Sequence, residues 1–331
     1  MKRSIVLAGV AAATSLALVG CASGGSSTQG GPGSDSPHTD KTYKVGIAQF
    51  VSHPSLDATR TGFKAAITES GLKVEYDEQN AQADQATNTS IATTFNNAKL
   101  DLVLAIATPT AQAAAQTITS TPILFTAVTD PVSAQLVDSM EKPGANVSGT
   151  SDMNPVAEQI ALVKKIKPDA KKVGVIYSSG EVNSEVQVKA AKEAAGKEGL
   201  EVVEKTITTT GEVQQAANSL DVDAIYVPTD NNVVSGLESV IQVAETKKVP
   251  LVVGEGDSVK KGGVITYGID YTKLGHQTGE MAVKILRDGA NPADMAVETQ
   301  SDLELYVNKA AAQRMGVTIP ESLLKDAEVV G

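Results

Sequence analysis

At 331 residues the chain is long enough for two domains, and 39 Asp and Glu against 28 Lys and Arg give it a formal net charge of −11. That balance argues against nucleic acid or an anionic lipid surface as a partner of the folded part. The single Cys excludes an intrachain disulfide and a Cys-based metal site, and with 3% aromatics and no Trp the core must be built from Val, Ile, Leu and Ala.

The first stretch does not belong to the fold. Lys2 and Arg3 precede an apolar run from Ile5 to Val19 that is short and Ala-rich for a membrane span. It ends in Leu18-Val19-Gly20-Cys21, small residues before a lone Cys, which is what a lipoprotein signal peptidase requires once the thiol carries a diacylglyceryl group. Residues 1–20 therefore read as a signal peptide, and Cys21 as the lipidation site. Cleavage removes two basic residues and no acid, leaving 26 basic and 39 acidic side chains, a net charge of −13. From Ala22 to about Thr42 the chain is rich in Gly, Ser, Thr and Asp and reads as a tether.

From Tyr43 strands alternate with helices. Lys44–Phe50 is a strand, a helix starts at Pro54 or Ser55 and stops before Gly71, and Lys73–Glu78 is the next strand. A helix over Asp84–Ala98 leads to the continuous apolar run Leu100–Ala107, expected of a central parallel strand covered on both faces. Thr108-Pro109-Thr110 turns into an Ala-rich helix, and Pro122–Val128 is a strand ended by Thr129-Asp130-Pro131. The pattern then repeats. Lys172-Val173-Gly174-Val175 echoes Lys44-Val45-Gly46-Ile47 at an offset of 128, Gly199-Leu200 echoes Gly71-Leu72 at 128, Val222-Asp223 echoes Leu100-Asp101 at 122, and Val249-Pro250 echoes Thr121-Pro122 at 128. Four landmarks in one order point to a duplicated β/α unit. The expected fold is α/β, with two Rossmann-like lobes of parallel sheet joined by three hinge strands near Gly149, Gly268 and Thr299. Lobe 1 would comprise 43–150 with 270–298, and lobe 2 would comprise 151–269 with 299–331.

In such sheets ligands bind beyond the carboxyl ends of the strands. Those ends carry Gln49, Phe50, His53, Thr108, Thr129 and Asp130 in the first half. In the second half they carry Ser179, Gly180, Asn183, Ser184, Thr229, Asp230, Asn231 and Asp257. The set is rich in hydroxyls, amides and carboxylates and poor in Lys and Arg. A zwitterion fits it, with the carboxylate at helix N-termini and the ammonium at Asp130, Asp230 or Asp257. A phosphorylated ligand fits badly, because no basic residue stands at these turns and no Gly-rich phosphate loop is present. Each residue has a plainer reading as well: Asp130, Asp230, Ser179 and Asn183 can cap helices or close turns, and His53 before Pro54 suits a turn. His38, His53 and His276 are too dispersed for a metal cluster. No cofactor motif or nucleophile elbow stands in the sequence, which argues against an enzyme.

The segments FVSHPSLDATRTGF, NAQADQATN, LAIATPTAQAAA, ILFTAVTDPV, GTSD, GVIYSSGEVNS, YVPTDNNVVS and TYGIDYTKLGHQTGEMA, behind the Cys21 leader, resemble ABC-transporter substrate-binding lipoproteins of the tryptophan- and phenylalanine-binding type. The resemblance runs from about Lys44 to the C-terminus. It implies a type I periplasmic-binding-protein fold, and a monomer that closes over one free amino acid and delivers it to a permease with its ATPase. It implies a location at the outer face of the cell membrane, held by the lipid on Cys21. It places the α-carboxylate at Gly180, Asn183 and Ser184, and the α-amine at Asp130 or Asp230. A nucleoside or branched-chain amino acid is the alternative cargo, and a lipid-anchored sensor for a signalling receptor the alternative role.

Overall fold

The computed structural model describes residues 41–331; the leader, Cys21 and most of the tether lie outside the described residues. The first half runs β1 (Thr42–Gln49), α1 (Pro54–Glu69), β2 (Lys73–Asn80), α2 (Gln85–Asn97), β3 (Leu102–Ile106), α3 (Thr108–Thr117), β4 (Ile123–Val128) and β5 (Val147–Ser151). The second half runs α4 (Val156–Ile166), β6 (Lys172–Ser178), α5 (Val182–Lys197), β7 (Glu201–Ile207), α6 (Val213–Asn218), β8 (Ala224–Val227), α7 (Asn231–Ser235), α8 (Leu237–Lys247), β9 (Leu251–Val253), α9 (Gly256–Lys261) and β10 (Ile265–Gly268). The chain then returns through α10 (Tyr271–Asp288) and β11 (Glu298–Thr299), and ends in β12 (Glu304–Asn308), α11 (Lys309–Arg314), α12 (Glu321–Leu324) and β13 (Ala327–Val330).

The strands form two sheets. One is ordered β2-β1-β3-β4-β5-β11, the other β7-β6-β8-β9-β10-β12-β13. The orders 2-1-3-4-5 and 7-6-8-9-10 are the same arrangement used twice, which is the duplication read from the sequence. All pairings are parallel except β10 with β12. β3 and β4 are buried along their whole length, because helices cover both faces of a parallel sheet. Each sheet organises its own apolar core. Phe63, Phe95 and Phe125 anchor the first, and Tyr226 with a Val- and Ile-rich set anchors the second.

The chain passes between the sheets three times: after β5, after β10 and between β11 and β12. The second passage delivers α10 onto α1 of the first sheet, and glycine makes the fit possible. A Cβ on Gly62 would collide with the Thr272 carbonyl oxygen, and one on Gly275 with that of Thr59. The two helices therefore touch backbone to backbone. Their N-termini, at Pro54 and Tyr271, are held together by this contact. β13 has no counterpart in the expected elements. It is a partly exposed terminal strand, and Ala-Glu-Val-Val offers too short an apolar pattern to announce itself.

Candidate functional site

The carboxyl ends of the two sheets face each other across a closed cleft. His53, Ser55, Leu56, Ala127 and Thr129 line it from the first sheet, and Asn183, Thr229, Asn231, Val234 and Glu255 from the second. Asp152 and Tyr271 line it where the chain crosses between sheets. No Lys or Arg is among these residues.

Asp152 follows β5 directly and is 4% exposed. The Tyr271 hydroxyl donates to its Oδ2 at 2.7 Å and the Thr129 hydroxyl to its Oδ1 at 3.1 Å. Burial pushes the Asp152 carboxyl above its ordinary range, and these two hydrogen bonds only partly offset that. Glu255, at the start of α9, is equally buried and takes the backbone N–H groups of Asp257 and Ser258 and the Ser258 hydroxyl. Burial, and then the Asp257 charge, push it upward too. Two buried acids thus face the cleft with no Lys or Arg in its lining to meet them.

Pro54 at the first position starts α1, and His53 in extended conformation precedes it without capping it through its side chain. The Ser55 hydroxyl is buried, approaches Glu255, and forms no hydrogen bond of normal geometry. His53 is buried against Asn231 from the opposite sheet. Burial lowers its pKa to about 4, so the ring is neutral at neutral pH. Its Nδ1 has no partner.

The second-sheet wall is organised by two buried acids. The Glu181 carboxylate reaches past its own helix to α7. It accepts from the backbone N–H of Asn231 at 3.1 Å and of Asn232 at 3.2 Å, and from their side-chain amides at 2.5 and 2.9 Å. Asp230 caps α7 through Val233 N–H at 2.8 Å, and also accepts from Ser178 N–H at 2.5 Å and the Ser184 hydroxyl at 2.6 Å. Burial first, and the Asp230 charge second, hold Glu181 above the usual carboxylate range. The Asn183 amide nitrogen donates to Glu181 at 3.0 Å and to the Thr229 carbonyl at 3.1 Å, while its Oδ1 is buried without a partner.

His53, Thr129, Asn183, Thr229 and Asn231 from the sequence reading are thus gathered in the cleft. The others are placed elsewhere. Phe50 is in the first core. Gln49 is buried and bonded to Asp57 and the Val51 carbonyl. Thr108 starts α3 with an unpartnered hydroxyl outside the lining. Asp130 closes its own turn on Val132, Ser133 and the Ser133 hydroxyl. Ser179 and Gly180 are exposed. Ser184 and Asp230 are bonded to each other beneath the wall. Asp257 pairs with Lys260 at 3.3 Å. The acids that line the cleft are Asp152 and Glu255, and the sequence reading gave neither of them a ligand role. Asp152 sits where a strand end coincides with a crossing between sheets, and that coincidence was the available signal. Glu255 stands two residues before Asp257 in the same turn, and only the helix start decides which of the two points inward.

Among the described residues no helix is long and apolar enough to cross a membrane, and no cluster of His, Cys, Asp and Glu could hold a metal ion. The chain is 44% identical over 314 residues to the tyrosine-binding protein of Clostridioides difficile, covering 92% of this chain and 89% of that one. Its structure matches the ABC domain in complex with L-Trp from Streptococcus pneumonia with a TM-score of 0.85, 39% identity, and coverage of 88% of this chain and 100% of that one. It matches the ligand-free, open structure of a substrate binding protein with adhesive properties from Clostridium difficile with a TM-score of 0.66, 48% identity, and coverage of 87% and 99%. The fold is that of type I periplasmic binding proteins, whose role is binding rather than catalysis. The model of the ABC transporter substrate binding protein family matches residues 44–330, and the chain belongs to that family.

Proposed function

We propose that the cleft captures a free aromatic amino acid and that the protein, anchored by a lipid on Cys21 at the outer face of the membrane, hands it to an ABC permease. The observation that carries the amino-acid reading is Asp152, a buried carboxylate held by two neutral hydroxyls in a cleft without a basic side chain. A buried carboxylate without a counter-charge is costly, and a ligand ammonium supplies the missing partner. The ligand carboxylate fits the first turn of α1, which has no side-chain cap and carries the Ser55 hydroxyl. Leu56, Ala127 and Val234 leave an apolar wall for a side chain.

Contacts between His53 and Asn231 and between Ser55 and Glu255 span the cleft, so the lobes stand closed. The better fit to the L-Trp complex than to the open structure, despite lower sequence identity to the former, supports the same state. Binding is then closure, with the ligand bridging both walls. Calorimetry on protein refolded to remove carried-over ligand tests the cargo. Aromatic amino acids should bind and nucleosides and branched-chain amino acids should not; the reverse preference would refute the reading. Replacing Cys21 by Ala should release the protein from the membrane fraction.

A further inference from the structure

We propose that Asn183 Oδ1 is a fixed acceptor that selects aromatic amino acids whose ring carries an N–H or O–H donor, favouring tyrosine and tryptophan over phenylalanine. This rests on the aromatic amino-acid reading above and specifies it.

An Asn amide can ordinarily flip to suit its ligand. Here it cannot. The Asn183 nitrogen donates to the Glu181 carboxylate and to the Thr229 carbonyl, at 3.0 and 3.1 Å. Both partners accept in these contacts, so turning the amide would set oxygen against oxygen twice. The oxygen is therefore the atom left over. It is buried, has no partner in the protein, and belongs to a residue that is 3% exposed and lines the cleft. A buried unpaired acceptor is worth filling only with a donor.

Sheet order says which part of the ligand reaches it. The chain crosses between sheets beside β10 and β12, and the order inward from there is β9, β8, β6. Glu255 follows β9, Thr229 and Asn231 follow β8, and Asn183 follows β6, so Asn183 is the lining residue of this wall farthest from the crossings. Asp152 and Tyr271 sit at the crossings themselves. The crossings lie beside β10, and β10 and β6 are three strand spacings apart, roughly 14 Å. A tyrosine or tryptophan spans about 6–8 Å from its ammonium to its ring donor, and a hydrogen bond at each end brings its reach to about 12–14 Å. With the ammonium at Asp152, the ring donor falls toward Asn183. The nearby Leu56 and Val234 accept the ring and offer no hydrogen bond of their own. A phenylalanine would dehydrate Asn183 Oδ1 and leave it unpaired.

Calorimetry of the refolded, full described chain against L-Tyr, L-Trp, L-Phe and O-methyl-L-tyrosine tests this without any variant. Tyr and Trp should bind about 10- to 100-fold more tightly than Phe, the cost of one unsatisfied buried acceptor. O-methyl-tyrosine, which keeps the ring and oxygen but loses the donor, should fall with Phe. Asn183→Leu should bring the three natural ligands to similar affinity, mainly by weakening Tyr and Trp. Equal wild-type affinities for Phe and Tyr would overturn the proposal. So would an Asn183→Leu protein that loses all three ligands in equal measure, which would put Asn183 at the ammonium. Binding of none of the three removes the aromatic reading itself, a result distinct from either.

Discussion

Acidification should open this protein, and His53 allows the effect to be worked out. In the closed cleft the ring is buried against Asn231 and its pKa is lowered to about 4 from 6.5, mainly by burial, with Asn231 and Asp57 favouring the proton and Lys261 opposing it. In an open cleft the ring is solvated and returns toward its ordinary value. The closed state therefore holds fewer protons than the open state between those two values. Closure is fully favoured above the ordinary value and is lost as the pH falls toward the lowered one. At pH 5 an exposed ring is almost wholly protonated and the buried one hardly at all, so the closed-to-open ratio falls about 30-fold relative to pH 8, or about 2 kcal/mol. Asp152 and Glu255 also gain protons in acid, being pushed upward by burial, and they weaken ammonium binding in the same direction. The comparison must therefore be with His53→Gln, which keeps a donor for Asn231 and removes the titration. Calorimetric affinity for the best ligand at pH 8, 6.5 and 5 should drop about 30-fold further in the wild type than in the variant. Parallel pH profiles would refute the argument.

Asp152→Asn keeps a polar side chain against Tyr271 and Thr129 but cannot balance an ammonium; amino-acid affinity should fall by about 2–4 kcal/mol in calorimetry. The melting temperature of the ligand-free variant should hold or rise, because a buried charge has been removed. A variant with intact affinity would take the ammonium away from Asp152. Gly275→Val would drive a side chain into the Thr59 carbonyl and separate α1 from α10; we expect a loss of more than about 2 kcal/mol in denaturant unfolding. An unchanged midpoint would mean that the helices are not held by this contact.

The chemistry of the ends of the strands was readable in the residues, because an apolar run bounded by polar turns states where a parallel strand stops. So was the duplication, since repeated landmarks at a near-constant offset need no three-dimensional knowledge. Of the residues at those ends, His53, Thr129, Asn183, Thr229 and Asn231 line the cleft, and the acids that line it with them, Asp152 and Glu255, had been given no ligand role. Asp130, Asp230 and Asp257 sit at the same kind of strand-end turn as Asp152 and Glu255, and local sequence does not say which carboxylate reaches the cleft: Asp130 closes its own turn, Asp230 caps α7, Asp257 pairs with Lys260, and Glu255 caps α9 while lining the cleft. That depends on what packs above it. Tyr271, brought from the far side of the second lobe by the glycine contact of α10 with α1, meets Asp152 across 119 residues of chain.

The sequence by itself determined the two-lobed α/β plan and the strand ends that line a cleft, because periodicity and turn residues are local properties. Tertiary structure alone decided which acids are left without a counter-charge, and which way the Asn183 amide faces. Those depend on hydrogen bonds between Glu181, Thr229 and Asn183, residues that meet only when β6 and β8 lie side by side.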